Sequence, residues 1–327
     1  MSTDTARVLL VGLGTTTASA LDALHERFDV CALVRPGSDD VVTRARAAGI
    51  AVHGDARLSA VVDLIETVRP DAVVVSSYDR ILPAVVVAAV PCINVHYAPL
   101  PRYRGRATVN WAIINGEDAT AISIHCLEPD LDAGGILLQH PVPVGAESTT
   151  GSVYDALNAL QRRFLADAVA RRLAGDRGEP QDESMASHSC SRVPGDGEIS
   201  WGDSTSTIDR LVRALDGPFP SAFTFLAARR IDVLRAVPVP DAPVYDGRIP
   251  GRVIRVDRAA GHVDVLTGDG VLRLLAVVDG ADGADGAGSQ RPADLITSVR
   301  HTLVSGVEAR LALLEQRLAA FDYEVRS

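Results

Sequence analysis

The sequence predicts an α/β protein, a doubly wound and mostly parallel sheet followed by a smaller all-β domain. Two patterns carry that expectation. Over the first half, short apolar runs rich in β-branched residues alternate with stretches of helical period, as successive right-handed βαβ units require. From about residue 201 short strands recur between turn signals, the mark of a small barrel or sandwich. At 327 residues the chain is long enough for two domains and a sizeable core.

Taken in order, residues 7–12 form a strand, 15–27 a helix, 30–34 a strand and 39–48 a helix. Residues 58–68 are helical, 72–76 a buried strand, 84–90 a short helix and 92–95 a strand. A loop rich in Pro and Arg at 99–106 precedes a helix at 108–115. Two strands, 121–127 and 136–144, then bracket an acidic loop at 128–135, and 153–173 is a long amphipathic helix. These elements define a first domain over residues 1–178. Residues 179–200, rich in Gly, Pro, Ser and Asp, mark a linker.

Beyond the linker, 208–215 is a short helix, and strands are expected at 230–237, 251–256, 263–267 and 271–278, giving a β domain over 201–290. The Gly, Ala and Asp run at 279–288 lacks the alternating apolar positions of calcium-binding repeats and reads as a hairpin loop. Apolar residues at 299, 303, 307, 311, 314, 318 and 321 predict a C-terminal helix over 291–327. That helix either packs on its own domain or pairs with a second copy of the chain as a homodimer.

Composition removes several function classes. All 32 basic residues are arginine. A chain without lysine forms no Schiff base with pyridoxal phosphate and builds no Walker A phosphate loop. Cys31, Cys92, Cys126 and Cys190 are far apart with no CxxC pairing, so neither a disulfide framework nor a metal site is expected. No apolar run approaches the roughly 20 residues of a membrane span. Residues 1–7 carry no basic, hydrophobic leader pattern, and the expected location is the cytoplasm. The formal charge is −10 and the second half is not basic, which argues against a nucleic-acid partner.

Gly12-Leu13-Gly14 after the first strand invites a dinucleotide reading. However, the third glycine of that fingerprint falls at Thr17, and Arg35 rather than an acid follows the second strand. A tight strand-to-helix turn explains the glycines better than an oxidoreductase site does.

The chemistry concentrates elsewhere. Asn94 and His96 stand at the carboxyl end of a strand, where open α/β sheets place their active sites. Two residues apart on extended backbone, their side chains leave the same face. Asp132, in the Leu131-Asp132-Ala133-Gly134 turn, supplies an acid that can orient the imidazole. An amide donor, an imidazole and an acid are the parts needed to take a proton from a nucleophile while stabilising an oxyanion. Each residue alone also fits a bland role, His96 in the core and Asp132 as a turn residue.

The segment from Asn94 to Gly105, the Leu131–Gly134 turn and the later Gly197-Glu198-Ile199-Ser200-Trp201 resemble the 10-formyltetrahydrofolate-dependent formyltransferases. The resemblance reaches to about residue 280, with Arg213-Ala214-Leu215 and Pro218-Phe219-Pro220 in the corresponding places. It implies a Rossmann-like catalytic domain and an OB-like C-terminal domain. It also implies Asn94, His96 and Asp132 as the catalytic residues, with 10-formyltetrahydrofolate as donor along Arg80, Ile81, Leu82, Arg106, Glu128, Pro129, Asp130 and Leu131. Residues 97–101 depart from the family's usual Ser-Leu-Leu-Pro loop.

Residues 103–111 are similar to the members that formylate a nucleotide-linked amino sugar. The loop after the second strand, 35–40, is short and acidic where the tRNA-formylating members carry a long basic one. The expected acceptor is therefore a small amine, first a nucleotide-linked amino sugar and next an amino-acid-derived hydroxylamine of a natural-product pathway. Methionyl-tRNA follows, and a non-catalytic folate-binding module is the alternative from another class.

Overall fold

A computed structural model describes residues 5–217, 219–280, 288–311 and 314–315. It forms two compact units, one of Met1–Val109, Asp118–Gly145 and Ser152–Ser191, the other of Asn110–Glu117, Ala146–Gly151 and Arg192–Ser327.

The chain opens with β1 (Arg7–Val11), α1 (Thr17–His25), β2 (Asp29–Val34), α2 (Asp40–Ala47), β3 (Ala51–His53), α3 (Leu58–Val68), β4 (Ala72–Ser76), α4 (Ala84–Ala89) and β5 (Cys92–His96). It continues through β6 (Arg104–Gly105), α5 (Thr108–Ile114), β7 (Ala119–Cys126), β8 (Ile136–Pro143), α6 (Thr150–Leu173) and β9 (His188–Ser189). Seven strands form one sheet in the order β3-β2-β1-β4-β5-β7-β8. The first five are mutually parallel, and β7 and β8 add antiparallel.

Local chemistry accounts for these elements. Val8–Val11 and Ala72–Val74 are fully buried, as strands covered on both faces must be, and so they read as unbroken apolar runs. Asp39 starts α2 by accepting the Val42 N–H at 3.1 Å, an N-cap bond that satisfies one of the donors a helix start leaves free. The strand order reverses between β1 and β4, and the loops at their carboxyl ends open a crevice there. β3 was not expected. It is a three-residue edge strand without a buried residue, too short to carry a period.

The glycine turn after β1 is filled by protein. Arg35 is buried, and its guanidinium donates to Gly12 O at 3.2 Å, Gly14 O at 3.0 Å and Thr17 Oγ1 at 3.1 Å. Its other edge grips Asp39 at 2.6 and 2.8 Å. A cation therefore holds the carbonyls of the turn in place.

In the second unit, α7 (Thr205–Ala214) is followed by β10 (Ala222–Leu226), β11 (Arg229–Pro238), β12 (Val253–Asp257), β13 (His262–Leu266) and β14 (Val271–Asp279). A short helix, α8 (Pro292–Leu295), and β15 (Leu303–Val304) complete it. The sheet is antiparallel in the order β12-β13-β14-β11-β10-β15, a curled half-barrel. Its core holds Ile199, Trp201, Ile208, Val233, Val265 and Leu274, and the Trp201 indole N–H donates to Thr224 Oγ1 at 2.9 Å.

The C-terminal helix over 291–327 needs correction. The structure has a single turn at Pro292–Leu295, then the strand Leu303–Val304 paired with Phe225 and Leu226, and helix again only from 306. The apolar spacing at 299 and 303 imitates a helix. Ile296 and Leu303 are instead pinned in the β core, and the Leu303 N–H is committed to Gly251 O at 2.8 Å. Positions 318 and 321, and 281–287 of the expected hairpin loop, lie outside the described residues.

Residues 179–189 of the expected linker are bonded to the first unit. Glu179 and Ile136 exchange backbone bonds at 2.8 and 2.9 Å, and β9 pairs with β6. No helix among the described residues is long and apolar enough to cross a membrane.

Candidate active site

A cleft of about 720 Å³ opens at the strand reversal, within the size range of small-molecule sites. Its floor includes Asn94, His96 and Asp132. β5 delivers the first two from one face, and Asp132 arrives on the loop between β7 and β8.

The three side chains meet. Asn94 Nδ2 donates to Asp132 Oδ1 at 3.2 Å, and His96 Nδ1 lies 3.6 Å from Asp132 Oδ2. The Gly105 N–H donates to the same Oδ2 at 2.9 Å. Backbone conformations that side chains rarely adopt gather here: Ser77 at φ 63°, Tyr103 at φ 61°, Ala107 at φ 54° and Asp132 at φ 50°. Strain of this kind persists only where surrounding bonds impose it, and it clusters at working sites.

Partners assign the tautomers. His96 Nε2 sits 2.8 Å from Tyr103 O, and a carbonyl only accepts, so Nε2 carries the hydrogen. In the neutral ring Nδ1 is then the free base, facing Asp132. Burial pushes the His96 pKa down; Asp132 and the Tyr103 carbonyl raise it, His125 lowers it, and the net position is below the ordinary histidine value. Burial likewise pushes Asp132 up. Attraction to the His125 and His96 rings in their protonated forms, together with the Gly105 N–H, outweighs that effect and holds the carboxyl below its usual range. The resting site is a neutral imidazole against a carboxylate, able to take one proton between them.

His125 completes the group and was missed in the sequence. It stands directly opposite Asn94 in the β5–β7 register and has no exposed surface. Its Nδ1 donates to Cys126 O at 2.8 Å, which leaves Nε2 to accept from Asn94 Nδ2 at 3.2 Å and to lie 3.6 Å from Asp132 Oδ1. The available signal was a histidine interrupting an apolar strand. Both amide hydrogens of Asn94 are thus engaged, at lengths beyond the usual 2.9–3.0 Å. An oxyanion beside Asn94 has to draw one of them away.

The expected donor-binding residues line the same cleft, with one exception. Arg80, Ile81, Leu82, Arg106, Glu128, Asp130 and Leu131 are on its walls, and Pro129 is not. Ile81 and Leu131 are exposed apolar side chains, 57% and 43% accessible, beside buried Leu82, a surface suited to an aromatic ring. Arg80 and Arg106 flank Asp79, each 3.8 Å from its carboxylate, and present cations at the mouth. Among the described residues, no group of three or more His, Cys, Asp or Glu could hold a metal ion.

A doubly wound sheet with a buried imidazole–carboxylate pair at its strand reversal has the parts that a group-transfer site uses. Residues 25–169 match the formyl transferase family and residues 193–282 its C-terminal domain. A methionyl-tRNA formyltransferase of Syntrophus aciditrophicus is 35% identical over 212 residues, 62% of this chain and 67% of that protein. One from Marinobacter nauticus is 33% identical over 247 residues, 75% and 76%.

Among solved structures, HypX from Aquifex aeolicus in complex with tetrahydrofolic acid superposes with a TM-score of 0.65 at 17% identity, covering 91% of this chain and 48% of that one. The sugar 3N-formyltransferase WlaRD, solved with dTDP and 5-N-formyl-THF, gives 0.62 at 13% identity, covering 83% and 97%. The chain belongs to the 10-formyltetrahydrofolate-dependent formyltransferase family that its sequence resembles.

Proposed function

We propose that this enzyme transfers the formyl group of 10-formyltetrahydrofolate to the amine nitrogen of its acceptor at Asn94, His96 and Asp132. The observation that carries the proposal is the buried His96–Asp132 pair, with a free Nδ1 held 3.6 Å from a carboxylate oxygen on the cleft floor. The amine nitrogen attacks the formyl carbon, a C–N bond forms, and the carbonyl electrons move onto oxygen. Asn94 turns an amide hydrogen to that oxyanion. The proton lost by the amine passes to His96 Nδ1, and Asp132 stabilises the imidazolium. Collapse breaks the bond to the folate nitrogen, which takes the proton back from His96 as it leaves and restores the neutral ring. Ile81, Leu82 and Leu131 hold the ring system, and Arg80 and Arg106 meet anionic groups at the mouth.

The acceptor supported by the curated relatives is methionyl-tRNA, because both domains match and the identity extends over most of those proteins. A small amine, such as a nucleotide-linked amino sugar or an amino-acid-derived hydroxylamine, is favoured by the electrostatics. Arg35 is buried in the glycine turn, and in the second unit Arg213, Arg255, Arg273 and Arg291 pair with Asp209, Asp257, Asp264 and Asp294. Arginines neutralised in this way offer little to a phosphate backbone. Incubation with 10-formyltetrahydrofolate and each acceptor, following tetrahydrofolate release and product mass, separates the two. Turnover with none of the amines would refute the transfer assignment itself.

A further inference from the structure

The strap from Glu179 to Ser189 is bonded to both loops that support the reacting side chains. Gln181 uses its whole amide: Nε2 donates to Asp132 O at 2.7 Å and Gly134 O at 2.8 Å, and Oε1 accepts from Arg104 Nη2 at 2.8 Å. Arg104 is buried and forks onto Glu183 at 2.6 and 2.9 Å. The next residue is Gly105, whose N–H holds Asp132 Oδ2. The bonds close a ring that grips Asp132 by its carbonyl on one side and its carboxylate on the other.

Further along the strap, Ser187 accepts the Tyr103 N–H through Oγ at 3.0 Å, and its carbonyl accepts the Arg104 N–H at 2.8 Å. Tyr103 is the residue whose carbonyl takes the Nε2 hydrogen of His96.

We propose that this strap is a positioning element of the formyl-transfer site. Gln181 sets the orientation of Asp132, and Ser187, acting through Tyr103, sets the tautomer of His96. The proposal rests on assigning the transfer chemistry to His96 and Asp132. Asp132 and Tyr103 are both left-handed at non-glycine residues, a conformation that loops abandon unless outside bonds impose it. Those outside bonds come from residues 181 and 187, far along the chain from both loops. The strap carries no reacting group, and neither Gln181 nor Ser187 lines the cleft.

The test is nitrogen-15 NMR of the histidine rings, with His96 assigned by comparison with His96→Gln, beside steady-state kinetics. Proteins compared are the parent, Gln181→Ala, Ser187→Ala and Ser187→Thr. The parent should show one neutral tautomer at His96, with the hydrogen on Nε2. Ser187→Ala should show mixed tautomers, and Ser187→Thr, which keeps the hydroxyl, should restore one. Gln181→Ala should lower kcat about 10- to 100-fold with little change in KM for the donor, the size of effect that a misplaced reacting group produces. A lowered melting temperature with the His96 ring signals and kcat unchanged would mean a structural role only, and would overturn the proposal. If the parent turned over none of the amines, the transfer assignment would fail, while the ring signals would still decide whether the strap sets the tautomer.

Discussion

Replacing Asp132 with asparagine removes a charge and little else in size. Its two carboxylate oxygens accept from fixed donors, Oδ1 from Asn94 Nδ2 and Oδ2 from the Gly105 N–H. An amide satisfies one of these and turns a donor toward the other, whichever way it lies. In a buried site the mismatch costs about 1–3 kcal/mol of stability. The catalytic loss is larger. His96 Nδ1 is 3.6 Å from Oδ2. Two unit charges at that separation attract by about 4–5 kcal/mol at an effective dielectric of roughly 20. At about 1.4 kcal/mol per tenfold, losing that attraction slows formation of the imidazolium by up to roughly 10³-fold.

For Asp132→Asn we therefore expect kcat to fall by roughly 10²- to 10³-fold with a nearly constant KM for the donor. The acid limb of the rate should also move to lower pH, because the carboxylate is the group that raises the His96 pKa against burial. Stopped-flow absorbance following tetrahydrofolate release measures the first effect, and a pH series measures the second. Circular dichroism confirms that the variant is folded. A folded Asp132→Asn protein that kept kcat within about threefold of the parent would refute the electrostatic role.

Other consequences follow from the same geometry. Because the His96 pKa lies below the ordinary value near 6.5, kcat in the parent should be flat through neutrality and fall only as pH drops through that lowered value. A limb centred above 6.5 in a kcat–pH series would contradict this. Gly105→Ala places a Cβ 2.7 Å from Ser189 O at φ 104°, and it should cost about 1–3 kcal/mol, or roughly 2–10 °C in melting temperature. An unchanged melting curve would count against strain at that turn. Arg35→Ala leaves Gly12 O and Gly14 O without their buried donor and should destabilise by about 2 kcal/mol or more in urea unfolding. A loss within a few tenths would mean that water replaces the guanidinium.

Legibility in the sequence followed the range of the forces involved. Leu58–Val68 and Ala72–Ser76 match their expected limits, because a run of helical period or of unbroken apolar residues reports burial locally. The tail did not, because Leu303 at a helical spacing from Val299 is held by Gly251, about fifty residues away in the chain. His125 carries no local signal beyond a histidine within an apolar strand, since its significance comes from standing opposite Asn94 across a strand pair. Gln181 lies in a polar stretch that composition marks as a linker, and side-chain bonds to Asp132 and Gly134 leave no trace in composition.

By itself the sequence determined the kinds of group available. It specified an amide, an imidazole and an acid, supplied no lysine, and placed Asn94 and His96 two apart at a strand end. Residue identity and strand period are local properties, so they survive in one dimension. Tertiary structure decided the protonation pattern. His96 is neutral with its hydrogen on Nε2, and Asp132 is ionised, because burial, the Tyr103 carbonyl, His125 and the Gly105 N–H converge on them. Those partners come from different segments of the chain. A proton's position depends on the field at one point in space, and only the folded chain creates that field.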